Sequence, residues 1–114
     1  MSECIFCQII AGDIPSNRVA ESDTAYAFTD INPHAPVHVL VVPKIHVESA
    51  DHLAAEQASV MGDMILLAQE VADVSGIRES GYRLIMNVGP DAWMSVPHLH
   101  LHVLGGQRLA GHLG

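Results

Sequence analysis

His98, His100 and His102 alternate with Leu99, Leu101 and Val103. On an extended strand successive side chains point to opposite faces, so this spacing puts three imidazoles on one side and three apolar groups on the other. On a helix, residues two apart stand about 200° from one another, and the rings would scatter. The pattern predicts a strand over His98–Leu104 with Leu99, Leu101 and Val103 facing a core. Three clustered imidazoles support two chemistries. Neutral rings bind zinc, copper, iron or nickel. Alternatively, one ring acts as nucleophile or acid–base group while its neighbours hold its tautomer and charge. The plain alternative is a solvated polar face, which three alternating histidines with apolar partners argue against. No Asp or Glu in the motif completes a facial metal set, so the triad is disfavoured as a catalytic metal site.

The segment from Asn87 to Pro97 runs directly into the histidines. Its backbone N–H groups and the Ser95 hydroxyl can face an anion beside the rings, and Asn87 offers an amide donor. A second chemical feature is Cys4-x-x-Cys7, two thiols at zinc-ligand spacing. They can also be read as buried thiols or as a redox pair, although the βαβ context of a redox motif is missing.

The elements that must position these groups follow from patterning. Ile5–Ala11 reads as a short helix stopped by Gly12, with Pro15 beyond. Arg18–Glu21 and Ala25–Thr29 read as a hairpin, Asp30–Pro36 as a loop, and Val37–Val42 as a buried strand ended by Pro43. Ala50–Val74 reads as the long helix, its apolar stripe formed by Val60, Met64, Leu67, Val71 and Val74, with Gly76 as its stop. Arg83–Val88 and His98–Leu104 complete the strands. This order predicts an α+β fold with an antiparallel sheet, one long helix and one short N-terminal helix.

Composition narrows the function. The 114 residues suit one domain, and an apolar share of 49% excludes a disordered chain. Thirteen acidic residues stand against five basic ones, a formal charge of -8. The basic residues are scattered and form no stripe for a phosphate backbone, which argues against long nucleic acid but not against a mononucleotide. No apolar run reaches the roughly 18–20 residues of a membrane helix, and Met1–Cys4 lacks the features of a signal peptide. The expected compartment is the cytoplasm, where a structural disulfide is not expected.

His98-Leu99-His100-Leu101-His102-Val103-Leu104 resembles the histidine-triad (HIT) motif, His-φ-His-φ-His-φ-φ. Asp30-Ile31-Asn32-Pro33-His34-Ala35-Pro36-Val37-His38 and Pro43-Lys44-Ile45-His46 are similar to the upstream blocks of that family, and Leu104-Gly105-Gly106 to its Hint-like branch, the purine nucleoside phosphoramidase type. The resemblance runs from about Cys4 to Gly106 and implies one HIT domain over residues 1–114. It also implies a hydrolase that releases a purine nucleoside monophosphate, AMP or GMP, from P–N conjugates. By that resemblance His100 is the nucleophile and forms a nucleotidyl-histidine intermediate. His102 and His38 hold the phosphate or the nucleophile, and Ser95 stands near the scissile phosphate and leaving nitrogen. Asn87 and Val96 lie along the nucleotide, Asp30 accepts the ribose hydroxyls, and Ile31 and Phe6 pack on the base.

The resemblance implies a structural zinc held by Cys4, Cys7, His46 and His98, and a homodimer paired through the long helix and a strand edge. Hydrolysis of dinucleoside polyphosphates or other nucleotidyl conjugates, and a nucleotide-binding module with little catalysis, remain as other readings. One departure bears on them. The family has Gly-Gln-Ser-Val where this chain has Trp93-Met94-Ser95-Val96, so a ring replaces a small residue and a thioether replaces an amide. His34, His52 and His112 are expected to be bystanders.

Overall fold

The computed structural model describes residues 3–112. Met1, Ser2, Leu113 and Gly114, which include both ends of the expected domain and the start of the segment read for a leader, lie outside the described residues. Helix α1 (Ile5–Ala11) is followed by strands β1 (Arg18–Glu21), β2 (Ala25–Thr29) and β3 (Val37–Pro43). Helix α2 (Ala58–Val74) comes next, then β4 (Tyr82–Ile85) and β5 (Leu101–Gly105). The strands form one five-stranded antiparallel sheet in the order β1-β2-β3-β5-β4.

Alternation along the three inner strands, β2, β3 and β5, divides their side chains between the two faces of the sheet. Val39 and Val41 of β3, Leu101 and Val103 of β5, and Ala25 and Ala27 of β2 point one way. They pack with Met64, Leu67, Ala68, Val71 and Ala72 of α2 in the main core, which Leu99 also joins. Leu40 and Val42 point the other way, where Phe6 and Ile9 of α1 and Phe28 of β2 form a second, smaller core. His38 and His102 share this second face. The sheet therefore has a structural side under α2 and a chemical side toward α1.

Three boundaries differ from the sequence reading. The histidine strand begins at Leu101, not His98. The register pairs Val41 with Leu101, so Leu99 would face Pro43, which has no N–H to offer the ladder. The Leu99 N–H instead bonds the Val47 carbonyl at 2.6 Å. Only His102 of the three histidines lies in the strand, and the expectation of three rings on one regular strand face is corrected accordingly. The long helix starts at Ala58, because Ser49 caps a separate 3₁₀ turn (Ala50–His52) and Leu53 is extended at φ -71° and ψ 126°. A second 3₁₀ turn spans Ala55–Gln57, and the Gln57 side chain accepts from the Ala54 N–H at 2.9 Å. Strand β4 covers Tyr82–Ile85 rather than Arg83–Val88. No helix among the described residues is long and apolar enough to cross a membrane.

Candidate functional site

β3 and β5 bring His38 and His102 side by side. The registers His38↔Leu104 and Leu40↔His102 put the two rings on one diagonal of the sheet, with His38 Nε2 2.9 Å from His102 Nδ1. The backbone assigns the protons. The His34 N–H can only donate, and it lies 3.0 Å from His38 Nδ1, so that nitrogen is the acceptor. In the neutral ring the proton then sits on Nε2 and is donated to His102 Nδ1. His102 in turn carries its proton on Nε2, and that atom is buried with no hydrogen-bond partner, the only such side-chain atom found among the described residues.

Burial keeps these rings neutral. It pushes His102 down to about 4, assisted by the neighbouring His100 and His38 and opposed by the Asp30 carboxylate. Burial also lowers His38, against the pull of Asp30. Asp30 reaches His38 Nε2 at 3.4 Å through Oδ2, while its Oδ1 accepts the Asn32 N–H at 2.8 Å and fixes the loop.

His100 is buried, one residue before β5. Its Nδ1 donates to the His98 carbonyl at 2.7 Å, since a carbonyl only accepts. The neutral ring therefore keeps its lone pair on Nε2. Phe6 packs edge-on against it with ring centroids 5.2 Å apart, and His102 lies at 5.1 Å.

A cleft of about 620 Å³ opens on this side, lined in part by Asp30, His34, His38, Asn87, Trp93, Ser95 and His102. Four of the expected site residues are not among those lining this cleft. Phe6 lies beneath His98 and His100 in the smaller core rather than in the cleft wall. Val96 packs against that core, and the buried His100 ring lies 5.1 Å from that of His102, which lines the cleft. Ile31 is 91% exposed and borders a neighbouring groove with Ile9 and Phe28. His34, read as a bystander, belongs to the site: its amide fixes the tautomer of His38 and its side chain lines the cleft. The signal available was its place in a tight turn four residues before His38. His52 is an exposed partner of Glu48 at 3.2 Å, and His112 is exposed.

Cys4, Cys7, His46 and His98 converge at the other end of the site, their ligand atoms all within 4.8 Å of one another. The His98 Nδ1 atom is 3.3 Å from Cys4 Sγ and 3.5 Å from Cys7 Sγ, and His46 Nδ1 is 3.4 Å from Cys7 Sγ. Tetrahedral zinc with Zn–S of about 2.3 Å and Zn–N of about 2.0–2.1 Å needs S···N separations near ~3.6 Å, so the donor set fits. The outer contact fits as well. His98 Nε2 donates to the Pro43 carbonyl at 2.9 Å, which leaves Nδ1 unprotonated and aimed at the sulfurs. Asp30, His38 and His102 also cluster within 4.8 Å. The His34 amide makes His38 Nε2 a donor there, so that trio lacks its second imidazole ligand.

The family model for the HIT domain matches residues 11–109. Purine nucleoside phosphoramidase from Escherichia coli (strain K12) is 43% identical over 107 residues, covering 94% of this chain and 90% of that protein. Among solved structures, a histidine triad protein from Clostridium difficile superposes with a TM-score of 0.95 at 38% identity, covering 99% of this chain and 98% of its own. A HIT family hydrolase from Clostridium thermocellum gives 0.96 at 41% identity, again covering 99% and 98%.

Proposed function

The chain belongs to the HIT-domain family, and from that premise we propose that it hydrolyses purine nucleoside 5′-phosphoramidates through a nucleotidyl-His100 intermediate. The observation that carries this reading is the proton pattern of the rings. His100 keeps an unprotonated Nε2, while His102 presents an unpartnered, buried Nε2–H beside it. One nitrogen is set to attack phosphorus and the other to receive a phosphate oxygen.

In the first step Nε2 of His100 bonds to phosphorus and the P–N bond breaks. The departing nitrogen takes a proton through the Ser95 hydroxyl, which is exposed and recovers it from solvent. The phosphorylated ring is cationic, and its Nδ1–H remains bonded to the His98 carbonyl, which stabilises that charge. In the second step water attacks phosphorus, the P–Nε2 bond breaks, and the neutral ring returns with release of AMP or GMP and a proton. His102 Nε2–H and the Asn87 amide are the donors for the phosphate oxygens, a role in which each donor is typically worth ~10²–10³ in kcat. Asp30 accepts the ribose hydroxyls, and Ile31 packs on the purine.

Cys4, Cys7, His46 and His98 would hold a structural zinc, which with four protein ligands has no open position for catalysis. The exposed apolar residues of α2, Leu66 and Val74, together with the β4 edge, support a homodimer. A monomeric mass in solution at micromolar concentration would count against that pairing.

The test follows AMP release from adenosine 5′-phosphoramidate by wild type and His100→Ala. Activity confined to wild type, with a nucleotidyl adduct on His100 by mass spectrometry, is the expected result. Equal activity in the variant would remove His100 from the chemistry.

A further inference from the structure

Trp93 is the one non-glycine residue among those described with a positive φ, at φ 60° and ψ 35°. A bulky side chain rarely adopts this left-handed conformation, and such strain concentrates where function requires it. The residue closes a 3₁₀ turn (Pro90–Ala92), its N–H bonding the Pro90 carbonyl at 3.0 Å. Packing does not repay the strain, because Trp93 is 88% exposed. The aromatic contacts of the described residues run through Phe6, Tyr26, Phe28 and the histidines, and none involves the indole. The ring nevertheless lines the cleft that holds Ser95, Asn87 and His102. A strained backbone thus holds a large flat surface at the site, and among the described residues no aromatic ring packs on it.

We propose that Trp93 is a specificity-determining residue that stacks on an aromatic ring carried by the leaving group. The proposal rests on the phosphoramidase reading above. Trp93 sits two residues before Ser95 on the loop that meets the leaving nitrogen, and on a different loop from Asp30. A planar partner suits it better than a cationic one. The nitrogen of a phosphoramidate is uncharged before cleavage, so attraction to the indole face would need a second, more distant cation. Stacking needs only a ring, and aromatic pairs are favourable beyond their area of contact.

Adenosine 5′-phosphoramidates of 2-phenylethylamine and n-hexylamine separate the possibilities, since the amines are similar in size and basicity. Wild type is expected to favour the phenyl compound in kcat/KM by about 3- to 10-fold, the range of an aromatic pair. Trp93→Phe should keep the preference, and Trp93→Leu and Trp93→Gly should lose it. Trp93 is the sole tryptophan, so its fluorescence in a His100→Ala protein should be quenched by the phenyl compound and much less by the hexyl one. Equal turnover of both compounds by wild type, or a preference that survives Trp93→Leu, overturns the inference and leaves the phosphoramidase reading standing. If neither compound is cleaved, that reading falls and this inference with it.

Discussion

The hydrogen bond from His38 Nε2 to His102 Nδ1, 2.9 Å long, runs in one direction because the His34 main-chain N–H occupies the far nitrogen of the His38 ring. A single backbone amide thereby sets the protonation of two side chains in series. The end of the series is the buried, unpartnered Nε2 of His102. Leaving a buried donor unmet costs ~1–3 kcal/mol, and a phosphate oxygen placed there recovers it.

His102→Leu removes the terminal donor and should lower kcat by ~10²–10³ with the fold retained. His38→Leu removes only the group that fixes the tautomer, so its loss should be smaller. Nitrogen-15 chemical shifts of His102 check the cause. In wild type they should report a protonated Nε2, and in His38→Leu a mixture of tautomers. A pure Nε2–H form in the variant would show that His38 does not set it.

The triad and its apolar partners were readable from spacing, because alternation on a strand is a local rule and Leu99, Leu101 and Val103 do enter the core. The same rule overextended the strand. What stops it is Pro43, which lies opposite in the register and more than fifty residues away in the chain, and a pairing of that kind is not visible locally. The start of α2 was obscured for a related reason. Ser49 and Gln57 cap short turns whose composition resembles a helix. The role of His34 was hidden because it acts through its main chain, where residue type carries no signal. Phe6 was legible as apolar, but only the packing of α1 shows that it lies beneath His100.

Seven residues make α1 marginal by itself, with Cys4 capping the Cys7 N–H at 3.5 Å and Gly12 closing the C-terminal end at φ 85°. The protein as purified should contain one zinc per chain by elemental analysis. Cys7→Ser should reduce that content and lower the melting temperature. Amide exchange should rise first in Ile5–Ala11, the segment that the metal would tie to His98. Activity lost slowly on chelation, in step with unfolding, is expected of a structural ion. Immediate loss with the fold intact would place the metal in the reaction.

His102 titrates near pH 4 in the folded chain against an ordinary value of 6.5. Between those values the unfolded chain binds the extra proton, so stability rises with pH across the window. The contribution is complete above about pH 6.5 and is lost as pH falls toward about 4. Thermal unfolding from pH 8 to pH 4 should therefore be steeper for wild type than for His102→Gln, which has no ring to protonate. The Cys4, Cys7, His46 and His98 cluster is common to both proteins, so the difference between the curves reports on position 102. Parallel curves would show that the ring is not held neutral by burial.

Trp93→Gly separates the fold's interest from the site's. A left-handed backbone costs an L-residue ~1–2 kcal/mol, while glycine gives back ~0.5–1 kcal/mol through the extra freedom of the unfolded chain. The indole loses little on removal, being 88% exposed. The glycine variant should thus be more stable by about 0.5–1 kcal/mol, a gain of a few degrees in melting temperature. Trp93→Ala keeps the strained φ without the ring and should gain nothing. A melting temperature that falls in both variants would mean that the ring packs against something in solution and that the strain is repaid within the protein. A gain confined to glycine would mean that the chain keeps a conformation that costs it stability, which places the use of the ring with a ligand in the cleft.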